Sequence, residues 1–273
     1  VWDVATQAES VMLTGHGDRV TDVAFSPDGA QIASASWDGT VQMWDVASAS
    51  PARLLAHGSE VNAVAFSPDG TRIAGGGKHP DAGGGLNGLV RVWDADTGTV
   101  IAEIATVGPV SGLSFLNNST LGIASQGLDC SSGGGTVEAY DVLSDTPLME
   151  FEGAGGWMNG AANPPSGMVI AASGRADVCA GSGSVWLWNA VTGATSHVLD
   201  SGADAATTAL AFDSTGALLA VGGEDGSVRV WDAAAGGTAL TVLYSGVAIE
   251  SVAISPAGKL IASGDANGII QLW

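Results

Sequence analysis

The residues best suited to chemistry lie in three glycine-rich stretches near the middle of the chain. His79 stands close to Asp81 in the first stretch, and a histidine beside an aspartate is half of the arrangement that activates a nucleophile. The sequence places no nucleophile motif with this pair. We therefore expect no catalytic site here and interpret the charged residues of these stretches as binding candidates.

The two cysteines, Cys130 and Cys179, lie at similar points of the second and third stretches. A disulfide between them would tie two long loops together and would indicate a compartment outside the cytoplasm. Two unrelated buried thiols, compatible with the cytoplasm, are the alternative, and the sequence leaves both open. No Cys-x-x-Cys or histidine pair accompanies them, so we predict neither a metal site nor a cofactor.

The overall charge limits the class of partner. Lys and Arg total 8 against 28 Asp and Glu, which gives a formal net charge of −20. Nucleic acids and anionic lipids reward clustered basic residues, so both are poor partners for this chain. An acidic surface is either simply solvated or attracts a basic partner. The sequence has no run of eighteen apolar residues, so direct membrane insertion is not expected.

A repeated aromatic–acidic pair organises the whole sequence. The aromatic residue returns every 42 to 49 positions, which is the mark of a repeat array. The copies are Trp2-Asp3, Trp44-Asp45, Trp93-Asp94, Tyr140-Asp141, Trp188-Asn189, Trp231-Asp232 and the final Trp273. Units that need their neighbours for stability argue for a single domain over residues 1–273.

Each repeat divides into four short apolar runs separated by turn residues. In the first complete repeat, Pro27 cannot donate a ladder hydrogen bond and Gly29 allows positive φ, so Ser26-Pro27-Asp28-Gly29 predicts a turn. Asp38-Gly39 predicts the next hairpin. Four antiparallel strands per repeat make one blade of a β-propeller, and the fold class is therefore all-β.

These motifs resemble the WD40 repeat family over the full length of the chain. The resemblance rests on Gly15-His16, on the turn at residues 25–29 and on Trp44-Asp45, with later repeats drifting from the pattern. It implies that a histidine, a hydroxyl, an aspartate and a tryptophan lock each blade through hydrogen bonds. In the first repeat the matching residues are His16, Ser34, Asp38 and Trp44.

The family's blade order also predicts how the ring closes. Residues 11–14 should pair with residues 269–273, which would hide both sheet edges and complete six blades. Trp2 and Trp273 occupy the same repeat position, however, so one copy must be displaced. A seven-bladed parent, cut at Val1, is the alternative.

Function is predicted from the places where the repeats differ. The excess length falls in one loop type of three consecutive repeats, at residues 75–88, 126–135 and 173–183. The resemblance places these loops on one face of blades two to four, where they would form a binding wall for a protein or peptide; slack glycine-rich insertion is the alternative. The candidate binding residues are Trp37, Lys78, His79, Asp81, Asp129, Trp157, Arg175 and Asp177.

Two further expectations complete the sequence analysis. The favoured function is a non-enzymatic interaction scaffold, and a ligand- or Ca²⁺-responsive sensor is the second hypothesis, because carboxylate oxygens suit Ca²⁺. Trp186 stands where the other repeats carry polar residues, which indicates either a lateral contact or the filling of a gap.

Overall fold

The computed structural model describes residues 1–79, 87–127, 134–152, 157–175, 183–201 and 206–273. These residues form β-strands joined by turns and loops, and none of the described residues belongs to a helix that could span a membrane. The strands assemble into antiparallel sheets that surround one central channel, as in a β-propeller. The predicted fold class is confirmed.

Six consecutive sheets form the blades, each with its first strand at the channel. Blade one contains β3 (Val20–Phe25), β4 (Gln31–Ser36), β5 (Thr40–Asp45) and β6 (Ser50–Ala56); blade two contains β7 (Val61–Phe66), β8 (Arg72–Lys78), β9 (Gly88–Asp94) and β10 (Val100–Thr106). Blade three contains β11 (Val110–Phe115), β12 (Thr120–Ser125), β13 (Thr136–Asp141) and β14 (Thr146–Glu150). Blade four contains β15 (Met158–Ala162), β16 (Val169–Arg175), β17 (Gly183–Asn189) and β18 (Thr195–Asp200). Blade five contains β19 (Thr207–Phe212), β20 (Leu218–Gly223), β21 (Ser227–Asp232) and β22 (Thr241–Tyr244), and blade six contains β23 (Ile249–Ile254), β24 (Ile261–Asp265) and β25 (Ile270–Leu272).

The predicted closure of the ring is wrong. Residues 11–14 form no strand, and blade six has three strands within the described part of the chain. The preceding residues pair locally instead, in a two-stranded ribbon of β1 (Trp2–Asp3) and β2 (Ala8–Glu9). Strand β2 therefore pairs with the strand that contains Trp2 and not with the strand that leads to Trp273.

The turns follow the residues that predicted them. Gly29 has φ 71° and Gly39 has φ 84°, a backbone conformation that favours glycine. The Ser26 hydroxyl donates to Asp28 Oδ1 at 2.6 Å, and Asp28 in turn accepts from the Ala30 amide at 3.0 Å. These two bonds lower the pKa of Asp28 below its usual value.

The core lies between blades. Val61 and Val64 of β7 are buried against Val41 and Met43 of β5. The first strand of one blade therefore covers the third strand of the blade before it. Trp93, almost fully buried, belongs to the same cluster. Stacking of this kind buries apolar surface that no blade could bury alone.

A glycine sets how closely two inner strands approach. A Cβ on Gly112 of β11 would lie closer than 3.0 Å to backbone atoms of Gly160 and Ala161 in blade four. A Cβ on Gly160, the equivalent residue of β15, would have its nearest neighbour at 3.7 Å. The two glycines occupy matching positions but differ in the space around them.

We therefore expect Gly112→Ala to destabilise the protein by about 1–3 kcal/mol, because overpacking must move the backbone of blade four. The matched variant Gly160→Ala should change the free energy of unfolding by less than about 1 kcal/mol. Urea unfolding of the two variants measures this difference. Equal losses would contradict the assigned inter-blade contact.

Candidate functional site

One face of the ring carries both the connections between second and third strands and the connections between blades. Hydrogen bonds join the two kinds of loop: the His57 and Gly58 amides donate to the Gly39 carbonyl at 2.9 and 3.0 Å, and the Ser245 amide donates to the Gly226 carbonyl at 2.8 Å. We call this the loop face. It contains the predicted binding residues that the structure describes.

Trp37 stands on the loop face beside the mouth of the channel. Its indole Nε1 donates to Asn62 Oδ1 at 3.1 Å, and the Arg19 guanidinium lies 5.4 Å from the ring centroid. The residue is still 41% exposed. This geometry holds an accessible aromatic surface in a fixed orientation, which is what an interface anchor requires.

Trp157 lies on the same face, immediately before β15, and is 40% exposed. Blades two and three separate it along the ring from Trp37. Both indoles therefore lie on the same face, but at different blades of the ring.

The remaining predicted binding residues divide into two groups. Lys78 ends β8 and forms a 2.6 Å ion pair with Glu60, while the His79 amide donates to the Asn87 carbonyl at 2.9 Å. Asp81, Asp129, Asp177, Cys130 and Cys179 lie outside the described residues, as does the side chain of Arg175. The predicted disulfide and the predicted wall over blades two to four stay predictions.

Two of the enlarged loops are shorter than the sequence indicated. Residues 75–78 belong to β8 and Gly88 begins β9, while β16 continues to Arg175 and Gly183 begins β17. Part of the extra length therefore extends strands. The connections themselves are residues 79–87 and 176–182.

The four lock residues of blade one contact each other. His16 Nδ1 lies 2.8 Å from Asp38 Oδ2 and His16 Nε2 lies 2.7 Å from Ser34 Oγ, which also accepts from Trp44 Nε1 at 2.8 Å. Burial raises the pKa of Asp38, but the Thr40 hydroxyl, the Gly17 amide and the His16 ring outweigh it and lower the pKa to about 2. These hydrogen bonds connect Asp38, on the loop face, to Trp44 in the core of the blade.

Later blades keep only parts of this arrangement. Trp273 Nε1 donates to Ser263 Oγ at 3.0 Å, as Trp44 does to Ser34. His57 is fully buried and contacts the carbonyls of Ser59 and Leu89 at 3.0 and 3.1 Å; burial lowers its pKa. These contacts hold strands together and offer no reactive group to solvent.

A ladder of hydrogen bonds around the channel was missed by the sequence analysis. The second residue of each inner strand sits at a bulge, and in four blades its side chain donates to the first residue of the next inner strand. The bonds are Thr21 to Val61 O (2.7 Å), Asn62 to Val110 O (3.0 Å), Asn159 to Thr207 O (2.6 Å) and Thr208 to Ile249 O (2.6 Å). A polar residue recurring at one repeat position was the available signal.

Asp22 is the acidic residue of the channel that burial affects most clearly. The equivalent inner-strand positions hold small residues, namely Ala63, Gly112, Gly160, Ala209 and Ser251. Burial raises the pKa of Asp22 to about 6, against the opposing effect of the Val64 and Val23 amides that donate to its carboxylate. Inner-strand residues from all six blades surround this channel, whose volume is about 250 Å³.

The structure gives no metal centre among the described residues, since no three His, Cys, Asp or Glu side chains there are grouped to hold an ion. Acidic side chains nevertheless outnumber basic ones on the described part of the loop face. The acidic residues there are Asp18, Asp38, Glu60, Glu152, Asp200, Glu224, Asp225 and Asp265.

Comparison with protein families decides the classification. The family model described as WD domain, G-beta repeat matches residues 8–45, 49–94, 194–232 and 238–273, more than half of the chain. The chain belongs to the WD40 repeat family. Proteins of this family generally bind proteins or peptides and typically act as non-enzymatic scaffolds.

Several relatives resemble this WD40 propeller in part. The small ribosomal subunit protein RACK1y of Oryza sativa subsp. japonica is 34% identical over 220 residues, which are 81% of this chain and 62% of that protein. Human striatin-4 is 56% identical over 45 residues, 16% of this chain and 6% of that protein, so the match spans a small part of that relative. The solved structure of U3-55K has a TM-score of 0.77 at 20% identity, over 96% of this chain and 79% of that chain, and shows the shared fold.

Asp38 and Asp22 should give the propeller opposite pH dependences. Because its pKa is lowered, the ionised Asp38 carboxylate stabilises the folded protein above about pH 4. This contribution is lost as the pH falls towards 2. We expect Asp38→Asn to cost about 1–3 kcal/mol at pH 7 and progressively less below pH 4. The exposed-loop variant Asp18→Asn is the control. A loss of the same size at every pH would contradict a role for the ionised carboxylate.

Asp22 should act in the opposite direction, and Asp22→Asn should abolish its pH-dependent effect. The raised pKa means that the folded protein loses stability as pH rises from about 4 to 6, because the buried carboxyl must then ionise. An asparagine does not ionise, but its single carbonyl oxygen can accept from only one of the Val64 and Val23 amides. Measured against the parent protein at each pH, we therefore expect the stability of Asp22→Asn to improve by about 1–3 kcal/mol between pH 4 and pH 7, whatever its offset at pH 4. Urea unfolding across this pH range checks both aspartates, and a stability difference between Asp22→Asn and the parent protein that stays constant from pH 4 to pH 7 would contradict the assigned burial effect.

Proposed function

We propose that this WD40 propeller is a non-enzymatic scaffold that binds a protein or peptide on its loop face, with a contact surface extending from Trp37 across blades two to four. The observation that carries the proposal is the pair of half-exposed indoles on one face of the ring. Trp37 is held by both Asn62 and Arg19, so little side-chain freedom is lost when a partner covers it.

The scaffold beneath these residues supports such a role. Ladder bonds cross four of the blade junctions, and Asn62 takes part in the ladder while accepting from Trp37. Loops on a framework of this kind can vary in length and sequence without loss of the fold. The connections at residues 79–87, 126–135 and 176–182 supply that variation in three consecutive blades.

Charge favours a basic partner over nucleic acid. The net charge of −20 and the acidic residues of the loop face raise the local concentration of cationic segments and repel phosphate backbones. Lys78 and Arg229 are paired with Glu60 and Asp225, so their charges are partly neutralised. We infer a peptide or protein segment that combines Lys or Arg with an apolar anchor.

The test uses peptides selected from a random display library against residues 1–273. We expect the selected peptides to contain basic residues and to bind more weakly as salt concentration rises. Trp37→Ala and Trp157→Ala should each weaken binding by about tenfold or more if the residue is an interface anchor. Calorimetric titration gives the affinities, and thermal unfolding verifies that each variant is folded.

Leu143→Ala is the matched control, because Leu143 is 59% exposed in the turn between third and fourth strands on the opposite face. It should leave the affinity unchanged. A second comparison shortens residues 79–87, 126–135 and 176–182 to the length of the blade-one turn. Peptides that bind this variant and both tryptophan variants as tightly as the parent would place the interaction elsewhere and overturn the proposal.

A further inference from the structure

One position of the fourth strand faces the next blade at four successive junctions. It pairs with the third-strand residue that comes just before the repeated aromatic. The residue is Arg53 in blade one, Ala102 in blade two, Met149 in blade three and His197 in blade four. It meets the turn between the third and fourth strands of the following blade, so the four junctions can be compared position by position.

At two junctions this residue binds the turn through hydrogen bonds. Arg53 donates from Nη1 to the Thr97 carbonyl at 3.0 Å and from Nη2 to the Asp96 carbonyl. His197 Nε2 lies 3.0 Å from the carbonyl oxygen of Ala234, which is the equivalent of Asp96. The carbonyl oxygens of this turn therefore accept from a side chain that crosses the junction.

The junction of blades two and three is filled by apolar contact instead. Ala102 has no side-chain donor, but Val142 of the turn is 2% exposed and belongs to the same buried cluster. At the other three junctions the turn carries an alanine, namely Ala95, Ala190 or Ala233. The larger turn residue compensates for the smaller strand residue.

Neither arrangement operates between blades three and four. Met149 lies over the turn, since a Cβ on Gly193 would be 2.8 Å from its sulfur, but a thioether has no hydrogen to donate. The turn residue is the small Ala190. The third-strand partner of Met149 is also small, because Ala139 stands where other blades carry Met43, Val92, Leu187 and Val230.

A groove with a volume of about 220 Å³ remains at this junction. We call it the side groove, and its lining includes Leu116, Ala139, Leu148, Met149 and Val191. Leu148 and Val191 are 53% and 65% exposed, so the apolar walls are open to solvent. Val191 also holds the turn position whose carbonyl accepts a hydrogen bond at the first and fourth junctions.

We propose that the side groove binds an arginine side chain of a partner protein. The aliphatic part of the arginine packs between Leu148 and Val191, and its guanidinium group donates to the carbonyl oxygens of Val191 and Thr192. Thr192 is the equivalent of Thr97, so these are the two acceptor positions that Arg53 binds at the first junction. Arg53 is the internal precedent for the bound side chain.

The chemistry of the groove favours arginine over an apolar anchor. A guanidinium group donates several hydrogen bonds from a rigid fork, while its stem covers apolar surface. A leucine or phenylalanine would cover the walls but leave the carbonyl oxygens without a donor, which costs free energy. The net charge of −20 attracts a cation, and none of the described residues that line the groove is basic.

The side groove is separate from the loop face. The third strand of each blade starts at the loop face, and the turn that follows it lies at the opposite end of the strand. The arginine site therefore goes beyond the function proposed above, and either can fail without the other.

The test is a nuclear magnetic resonance titration of the ¹⁵N-labelled protein, residues 1–273, with the peptide acetyl-Leu-Arg-Leu-amide. We expect saturable changes in the amide signals of Leu148, Val191 and Thr192 at millimolar or lower peptide concentration. A peptide with norleucine in place of arginine keeps an apolar stem without donors and should bind at least about tenfold more weakly. A citrulline peptide keeps donors without the charge and should lie between the two.

Equal binding of the arginine and norleucine peptides would show a simple apolar pocket and would overturn the proposal. The same conclusion follows if these amide signals show no saturable change up to about 10 mM peptide.

Met149→Arg supplies the donor from within the chain. The new side chain should bind the turn as Arg53 does, raise the melting temperature by about 2–4 °C and abolish binding of the arginine peptide. Met149→Leu is the matched control, because it has a similar volume and no donor, and it should change the affinity by less than about twofold. A Met149→Arg variant that binds the peptide as tightly as the parent protein contradicts the proposal.

Leu148→Ser provides a second variant at an exposed position, where the fold tolerates substitution. It should weaken binding of the arginine peptide several-fold, because it removes one apolar wall. An unchanged affinity in this variant would also count against the assigned site.

Trp37→Ala separates the side groove from the loop face. Trp37 lies at the other end of the blades, so the changes at Val191 should persist in this variant. If the peptide instead shifts loop-face signals, and Trp37→Ala removes those shifts, the arginine binds at the loop face. That result would overturn the side-groove proposal while supporting the loop-face function.

Discussion

The packing of each inner strand against the blade before it is the contact on which the rest of the structure depends. Val61 and Val64 reach Val41 and Met43 across the junction of blades one and two, and no blade contains both partners. Apolar burial is non-directional, so it explains why neighbouring blades pack together but not why their inner strands keep one alignment. The bulged inner-strand residues add direction, because Thr21 or Asn62 can reach the next carbonyl in only one alignment.

The repeat and its turns could be predicted because their causes are local. A proline that cannot donate and a glycine with positive φ fix a turn wherever they occur, and Gly29 and Gly39 are examples. The aromatic spacing then predicts the six blades that residues 1–273 form. The contacts among His16, Ser34, Asp38 and Trp44 followed from matching residues to one repeat pattern, although later blades retain only fragments of that pattern.

The closure of the ring could not be predicted because its cause is a competition between equal partners. Trp2 and Trp273 hold the same repeat position, so the sequence gives no local reason for strand β2 to prefer either one. Proximity along the chain favours Trp2, since a hairpin loses less entropy on closure than a pairing between distant segments.

Trp186 shows a related limit of the sequence analysis. The equivalent position is polar in other repeats, but Trp186 is 5% exposed and packs in a cluster with Phe151 and Trp188. Trp186 belongs to an apolar cluster that includes residues of both blade three and blade four, which the repeat pattern alone does not identify.

The carboxylates illustrate how structure assigns roles that composition cannot. Asp outnumbers Glu 20 to 8, which the sequence alone allows to mean either a solvated surface or a binding surface. Asp45 and Asp94 accept from a hydroxyl and an amide three residues ahead, and these bonds lower the pKa of each. A short carboxylate closes such a turn where a longer one would not fit as well.

Shifted pKa values often mark reactive sites, but here turn geometry explains the lowered values and burial in the channel explains Asp22. Aspartates committed to turns are poorly placed to act as acids or bases on a substrate. What the loop face offers a partner is therefore shape, aromatic surface and long-range negative charge, and these are the properties of a surface that recognises rather than reacts. This is the physical basis for proposing an interaction scaffold.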